Sequence, residues 1–312
     1  MAVYTHITPA QAQSHLAHYA IGSLVHLEGI TQGVENTNYR LETDAGKYIL
    51  TLFEKRVQEK NLPFFLDVMA SFDCEGLSVP KPIPSKSGKT LLRLADRPAV
   101  IISFLEGRQR MLPSADDCRA MGTVLAKMHL IAEGFNVTRK NDFALAGWID
   151  LVSKCEDKAD ACQDGLSGFI KNELVWLKQH WPKGLPEGII HADLFPDNVF
   201  FEALEVSGII DFYFACTDSF AYDLCICLNA WAWREDTWLP ENETAFLKAY
   251  TSVRPLSTQE KAALPALQRG AAFRFLMTRL YDWIHQDADA AVNVKDPLEF
   301  YRLAQYLISK SN

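Results

Sequence analysis

At 312 residues the chain is long for one hydrophobic core, which predicts two packed lobes rather than an isolated module. Hydrophobic residues make up 48% and charged residues 22%, the proportions of an ordinary globular enzyme, which excludes a fibrous or disordered class. A net charge of -8, with no run of Lys or Arg longer than two, argues against a nucleic-acid partner, because phosphate backbones need a basic face.

The start of the chain, Met1 to Thr8, lacks the basic segment and apolar stretch of a signal peptide. No run of some 18 apolar residues is present to span a bilayer, so the expectation is a cytoplasmic protein with no membrane partner. The first element reads as a short helix with Thr8 as N-cap and Pro9 at the first helical position. Three strand-like runs follow, at 24–30, 38–42 and 48–53, with Gly33 and then Asp44-Ala45-Gly46 between them, which predicts an antiparallel meander. A helical pattern from about Val57 to Cys74 comes next. After the stiff connector Val79-Pro80-Lys81-Pro82-Ile83-Pro84, two more strand-like runs at 90–94 and 99–104 complete an N-terminal β-rich lobe.

Past Phe104-Leu105-Glu106-Gly107 the period turns helical, starting at the cap Ser114-Ala115-Asp116-Asp117 ahead of Met121, Leu125 and Met128. This places a lobe boundary near 105, giving lobes 1–105 and 106–312 in an α+β class. The second lobe reads as helical to its end, apart from an island at 187–212 with short strand-like runs at Ile189-Ile190, Val199-Phe200-Phe201 and Gly208-Ile209-Ile210. The seven cysteines form no Cys-x-x-Cys pair, so reduced thiols are expected rather than a disulfide framework or a zinc site.

The island carries His191-Ala192-Asp193-Leu194-Phe195-Pro196-Asp197-Asn198 and, after it, Ile209-Ile210-Asp211-Phe212. The five-residue step from Asp193 to Asn198 is that of a kinase catalytic loop, with an aspartate for the substrate hydroxyl and an asparagine for magnesium; Asp211 then takes the place of the second metal-binding aspartate. Phosphoryl transfer asks for a positioned hydroxyl and neutralised phosphate oxygens, and one carboxylate plus two oxygen ligands for a hard cation supply both. His191 is expected to hold the loop through bonds to backbone carbonyls, and Asp223 to anchor it through backbone amides.

These residues resemble the aminoglycoside-phosphotransferase and choline-kinase superfamily of small-molecule kinases, whose members have a protein-kinase-like two-lobed fold. Gly122-Thr123-Val124-Leu125-Ala126-Lys127-Met128-His129 is similar to the superfamily's helix ending in His. More narrowly, Gly33 to Tyr39, Tyr48 to Glu54, Asp211 to Cys216 and Tyr222 to Trp231 resemble its homoserine kinases. The resemblance implies ATP and Mg2+ as cofactors, with adenine on a hinge near Ser103 to Leu105 and phosphates beneath the turn at Gly33 to Asn38, where Asn36, Thr37 and Asn38 offer short polar side chains. One departure stands out: the third strand of such a kinase carries a phosphate-binding lysine, and Thr51 occupies its place here. Lys55 falls on the same face as Thr51 by period-two alternation and is the candidate phosphate contact.

Arg274, Arg279 and Asp282 sit in the apolar run 271–282 and are either substrate-pocket groups or members of structural ion pairs. Trp231, Trp233 and Trp238 read as helix packing. The leading expectation is phosphorylation of L-homoserine to O-phospho-L-homoserine, in threonine biosynthesis. Another small-molecule kinase of the superfamily, or a catalytically silent nucleotide-binding protein, are the alternatives.

Overall fold

A computed structural model of the chain describes residues 4–31, 36–54, 57–286 and 295–311; Gly33 and Lys55 lie outside them. The chain divides into two compact units, Met1–Arg108 with Ser207–Tyr213, and Gln109–Val206 with Phe214–Asn312. The architecture is α+β, an antiparallel-sheet unit followed by a mainly helical one.

In the first unit, helix α1 (Pro9–Leu16) is closed at its start by a reciprocal capping box between Thr8 and Gln11. Strands β1 (Leu24–Ile30), β2 (Thr37–Thr43) and β3 (Gly46–Leu52) form a meander, and β4 (Leu91–Leu94) and β5 (Arg97–Ser103) extend it to the order β1-β2-β3-β5-β4. Strict alternation along β2 sends Thr37, Tyr39, Leu41 and Thr43 inward, where Tyr39 and Leu41 join Leu16, Leu50 and Ile101 in the core. Helix α2 (Leu62–Cys74) starts later than its periodicity suggests, after one 3-10 turn at Glu59–Asn61. A helix begun at Val57 would place Pro63 in its interior, where the ring collides with the carbonyl four residues earlier. The segment after Asp211 packs on this unit: Phe212 meets Phe72 at 5.8 Å, and Tyr213 meets Phe53 at 5.2 Å and Phe65 at 5.8 Å.

Strand β6 (Arg108–Gln109) leads into the second unit, whose elements begin with α3 (Ala115–Ala132), α4 (Leu145–Ala159), α5 (Leu166–His180), β7 (Glu187–Ile190) and β8 (Val199–Glu202), after which β9 (Glu205–Ile209) runs into the Ser207–Tyr213 segment of the first unit. Next come β10 (Cys216–Ser219), α6 (Phe220–Ala232), β11 (Trp233–Arg234), β12 (Thr237–Trp238), α7 (Pro240–Val253), α8 (Thr258–Ile284) and α9 (Leu298–Ser311). Helices α3 and α7 lie so close that a Cβ on Gly122 would come within 2.4 Å of the Phe246 carbonyl oxygen. Gly270 of α8 is as confined, since a Cβ there would come within 2.1 Å of the Trp181 ring. Two short strand pairs correct the all-helical reading of the region after 212. Strand β10 runs antiparallel to β7, with Cys216 opposite Ile190. Strands β11 and β12 form a tight hairpin whose turn residues Glu235 and Asp236 both have positive φ, the geometry that matches strand twist. Trp233 and Trp238 therefore leave the helix and pack on Tyr306 of α9, with ring centroids 5.6 Å apart in each case.

Candidate active site

The loop from His191 to Asn198 joins β7 to a 3-10 turn at Pro196–Asn198 and is tied down residue by residue. Asp223, in the first turn of α6, accepts the amide of His191 through Oδ2 at 3.0 Å and that of Ala192 through Oδ1 at 2.8 Å. The Trp231 indole, two turns further along α6, donates to the Leu194 carbonyl at 2.9 Å. Asn198 Nδ2 donates to the Asp193 carbonyl at 2.8 Å, which leaves the amide oxygen as the end suited to a cation. His191 Nδ1 accepts the Asp193 amide at 3.3 Å, a bond between the imidazole and the loop backbone. Ala192 is held at φ 64°, a left-handed conformation that a Cβ disfavours. Asp211, in the first unit, also has positive φ, 66°.

Behind Asp223 lies a buried relay whose directions can be read off. Burial pushes the His129 imidazole below its ordinary pKa, outweighing the pull of Asp223, so the ring is neutral. Its Nε2 then donates to Asp223 Oδ2 at 3.1 Å and its Nδ1 accepts the Tyr250 hydroxyl at 2.7 Å. Arg254 donates to the Tyr250 oxygen at 3.3 Å and to Glu260 at 2.8 Å. Burial works against the Asp223 charge, but the hydrogen bond and partial charge of His129, His191 and the Ala192 amide outweigh it and hold the carboxyl below its usual range.

Asp193 is half-buried, and burial pushes its carboxyl up against the opposing pull of Arg274, His191 and Lys295. A carboxylate with raised proton affinity is better suited to accept a proton from an alcohol than an ordinary surface aspartate. Arg274 of α8 is 2% exposed and donates through Nη1 to the Ala192 carbonyl. Lys295, in contrast, is 59% exposed at its side chain, pairs with Asp197 at 3.1 Å and lies 5.7 Å from the Phe195 ring centroid. Sequence reasoning missed Lys295 because it is 98 residues from its partner and belongs to no motif.

Several candidates are already engaged elsewhere. The Thr37 hydroxyl accepts the amides of Tyr4 and Thr5 at 3.0 and 3.1 Å and donates to Glu54 at 2.8 Å. A hydroxyl has one proton and two lone pairs, so this one has nothing left for a phosphate and instead tethers Tyr4 and Thr5. Asn36 Oδ1 accepts the Glu54 amide at 3.4 Å. Asn38 Oδ1 accepts the Thr51 hydroxyl at 2.7 Å, and Thr51 also shares a hydrogen bond with Tyr213, so a neutral network surrounds the position where the resemblance implies a lysine. Ser103 closes β5, where its hydroxyl accepts the Lys81 amide at 2.9 Å, and Leu105 follows in the loop after it. Arg279 bonds Glu299 at 2.5 Å and the Asp296 carbonyl at 3.1 Å, and stands over Phe300 at 4.5 Å. Its guanidinium fastens α8 to α9, the structural alternative of the two raised by the sequence. Asp282 lies one turn further along α8.

Among the described residues no three His, Cys, Asp or Glu side chains cluster as a metal site. A magnesium nucleotide needs only one or two protein oxygens, because phosphates and water complete its octahedron, and the Asn198 amide oxygen and Asp211 carboxylate are donors of that hard type.

Residues 26–256 match the phosphotransferase enzyme family. The chain is 51% identical over 307 residues to a homoserine kinase of Rhizobium rhizogenes, covering 98% of this chain and 96% of that one. It is 48% identical over 303 residues to the homoserine kinase of Methylobacterium radiotolerans, covering 97% and 94%. Among solved structures, it superposes with a TM-score of 0.73 on an amicoumacin kinase in complex with AMP-PNP, Ca2+ and Ami, at 17% identity over 97% of this chain and 93% of that one. A spectinomycin phosphotransferase in complex with ADP and spectinomycin gives the same TM-score at 14% identity, over 98% and 99%. These two share the fold. The chain belongs to the phosphotransferase enzyme family.

Proposed function

We propose that this member of the phosphotransferase enzyme family transfers the γ-phosphoryl group of ATP to the side-chain hydroxyl of L-homoserine, giving ADP and O-phospho-L-homoserine. The observation that carries the substrate is identity near one half with homoserine kinases over nearly the whole of both chains. Nucleotide use is supported by the AMP-PNP and ADP bound in the two structural relatives. The requirement for ATP puts the work of the enzyme in the cytoplasm, as one of the steps toward threonine.

In this reading Asp193 orients the homoserine hydroxyl and takes its proton. The hydroxyl oxygen bonds to the γ-phosphorus while the bond from that phosphorus to the β–γ bridging oxygen breaks, and the electron pair leaves with ADP. Asn198 and Asp211 would hold magnesium, which when bound neutralises the phosphate oxygens. Asp223, His191 and Trp231 fix the backbone that presents Asp193, so the carboxylate arrives already positioned. Lys295 supplies positive charge near the loop on an exposed side chain, in keeping with an anionic reactant. The turn at Gly33 to Asn38 and the segment Ser103 to Leu105 remain the proposed phosphate and adenine contacts, through backbone rather than the Thr37 hydroxyl.

The test is ADP release measured against L-homoserine, 3-amino-1-propanol, 4-hydroxybutyrate, choline and kanamycin at fixed ATP and magnesium. L-Homoserine is expected to exceed each of the others in kcat/KM by at least about two orders of magnitude, because a pocket built for a zwitterion loses heavily when either charge is unmatched. Choline or 3-amino-1-propanol working as well as L-homoserine would overturn the assignment.

A further inference from the structure

Ala192 immediately precedes the candidate catalytic aspartate and is gripped at both ends by side chains of opposite charge. Its N–H is taken by Asp223 at 2.8 Å, and its carbonyl by Nη1 of Arg274. Between the two grips the residue stands at φ 64°, where its Cβ crowds the following carbonyl. Such a conformation persists only when the surroundings over-determine it. The amide grip alone fixes where the peptide before Ala192 lies. The carbonyl grip fixes the peptide after it, which is the one carrying Asp193.

Arg274 is built for this task. It is 2% exposed on the buried stretch of α8, one turn beyond the confined Gly270. Three rings surround its guanidinium, with centroids at 4.4 Å for Phe275, 5.2 Å for Phe143 and 5.7 Å for Phe214. Aromatic faces compensate a desolvated cation and at the same time limit where it can move. A planar guanidinium can stack and donate together, which a lysine ammonium cannot do. The exposed cation near the loop is instead Lys295, free of that enclosure.

We infer that Arg274 is a positioning residue, which locks the Ala192–Asp193 peptide in its left-handed turn and so aims Asp193, rather than a ligand for the substrate carboxylate. The inference rests on the kinase reading of Asp193. Misplacing a reacting group by about 1 Å costs on the order of a hundredfold in rate, so loss of the grip acts on turnover.

The experiment is a double-mutant cycle read by steady-state kinetics, with Arg274→Lys and Arg274→Met each made in the wild-type chain and in an Ala192→Gly chain. Glycine enters the left-handed region without the Cβ penalty, so the turn then needs less holding. In the wild-type chain Arg274→Lys is expected to lower kcat at least about tenfold and to leave the L-homoserine KM within about threefold. In the Ala192→Gly chain the same substitution is expected to cost only a few-fold. Arg274→Lys retains a donor and a charge, so it keeps the test available where Arg274→Met fails to fold. A rise in the L-homoserine KM of tenfold or more with kcat retained, together with lost preference over 3-amino-1-propanol, would make Arg274 a substrate ligand and overturn the inference. Losses that multiply independently across the cycle would overturn it as well. Absence of L-homoserine phosphorylation by the wild-type protein would sink the functional reading itself, before any variant is compared.

Discussion

In the sheet unit the polar residues around Thr51 form a neutral network, in which its hydroxyl bonds both Asn38 and Tyr213. Around the loop of the helical unit the same kind of burial is handled with charge, Asp223 on two amides, Arg254 behind it and Arg274 on the Ala192 carbonyl that follows them. Neutral hydrogen bonds are each worth about 1 kcal/mol net and tolerate replacement by apolar groups of like shape. Buried charges are costly to remove, since a lost partner leaves its counterpart desolvated and unpaired. The helical unit therefore holds its loop in one geometry, as catalysis by a positioned carboxylate requires. The sheet unit holds a scaffold in which the Thr51 hydroxyl stands where the sequence resemblance implies a lysine.

The sharpest way to break that contrast is at Asp193. Replacing it with Asn should lower kcat by about 10²-fold to 10⁴-fold with ATP binding nearly unchanged, because the fold keeps its grip on the loop while the proton acceptor is gone. A variant retaining more than about a tenth of wild-type turnover would remove Asp193 from the centre of the reaction.

Next in size is the acid sensitivity of the charged network. His129 and Asp223 both bind protons less readily in the fold than in the unfolded chain, so the unfolded state takes up more protons as pH falls and stability must fall with it. The loss begins as pH drops through about 6.5, where an unfolded histidine charges, and continues below about 4, where an unfolded aspartate is neutralised. Each such proton contributes up to about 1.4 kcal/mol per pH unit. Urea midpoints compared at pH 7 and pH 5 should show a smaller decrease for His129→Gln than for the wild type. Identical decreases would mean that His129 is not the group responsible.

The smallest effect is expected in the sheet unit. Thr51→Val keeps the shape and removes the hydroxyl, so it should lower stability by about 1 kcal/mol and change the KM for ATP less than about threefold. A tenfold rise in that KM would turn the Thr51 hydroxyl from a scaffold group into a nucleotide contact.

Much of the fold was legible because its signals are local. The Thr8 and Ser114 caps, the alternation along β2 and the change from period two to helical period are each set within a few residues. Where local signals misled, a nearby steric rule explains it, as with Pro63 delaying α2, or a pairing partner lay far off in sequence, as with β10 returning to β7. The motif from His191 to Asn198 could be read for the same reason: a loop that presents one carboxylate and one amide must keep a fixed short spacing, and that spacing is written in the chain. What surrounds the motif could not be read. Tyr250 reaches His129 across 121 residues and Arg274 reaches the Ala192 carbonyl across 82. Side chains so far apart in sequence meet only because α3, α6, α7 and α8 bury their apolar faces together, and burial is not specific to one partner. The sequence by itself determined which groups the motif offers for the proposed chemistry, and only the packing of the helices decided which charges hold that loop in place.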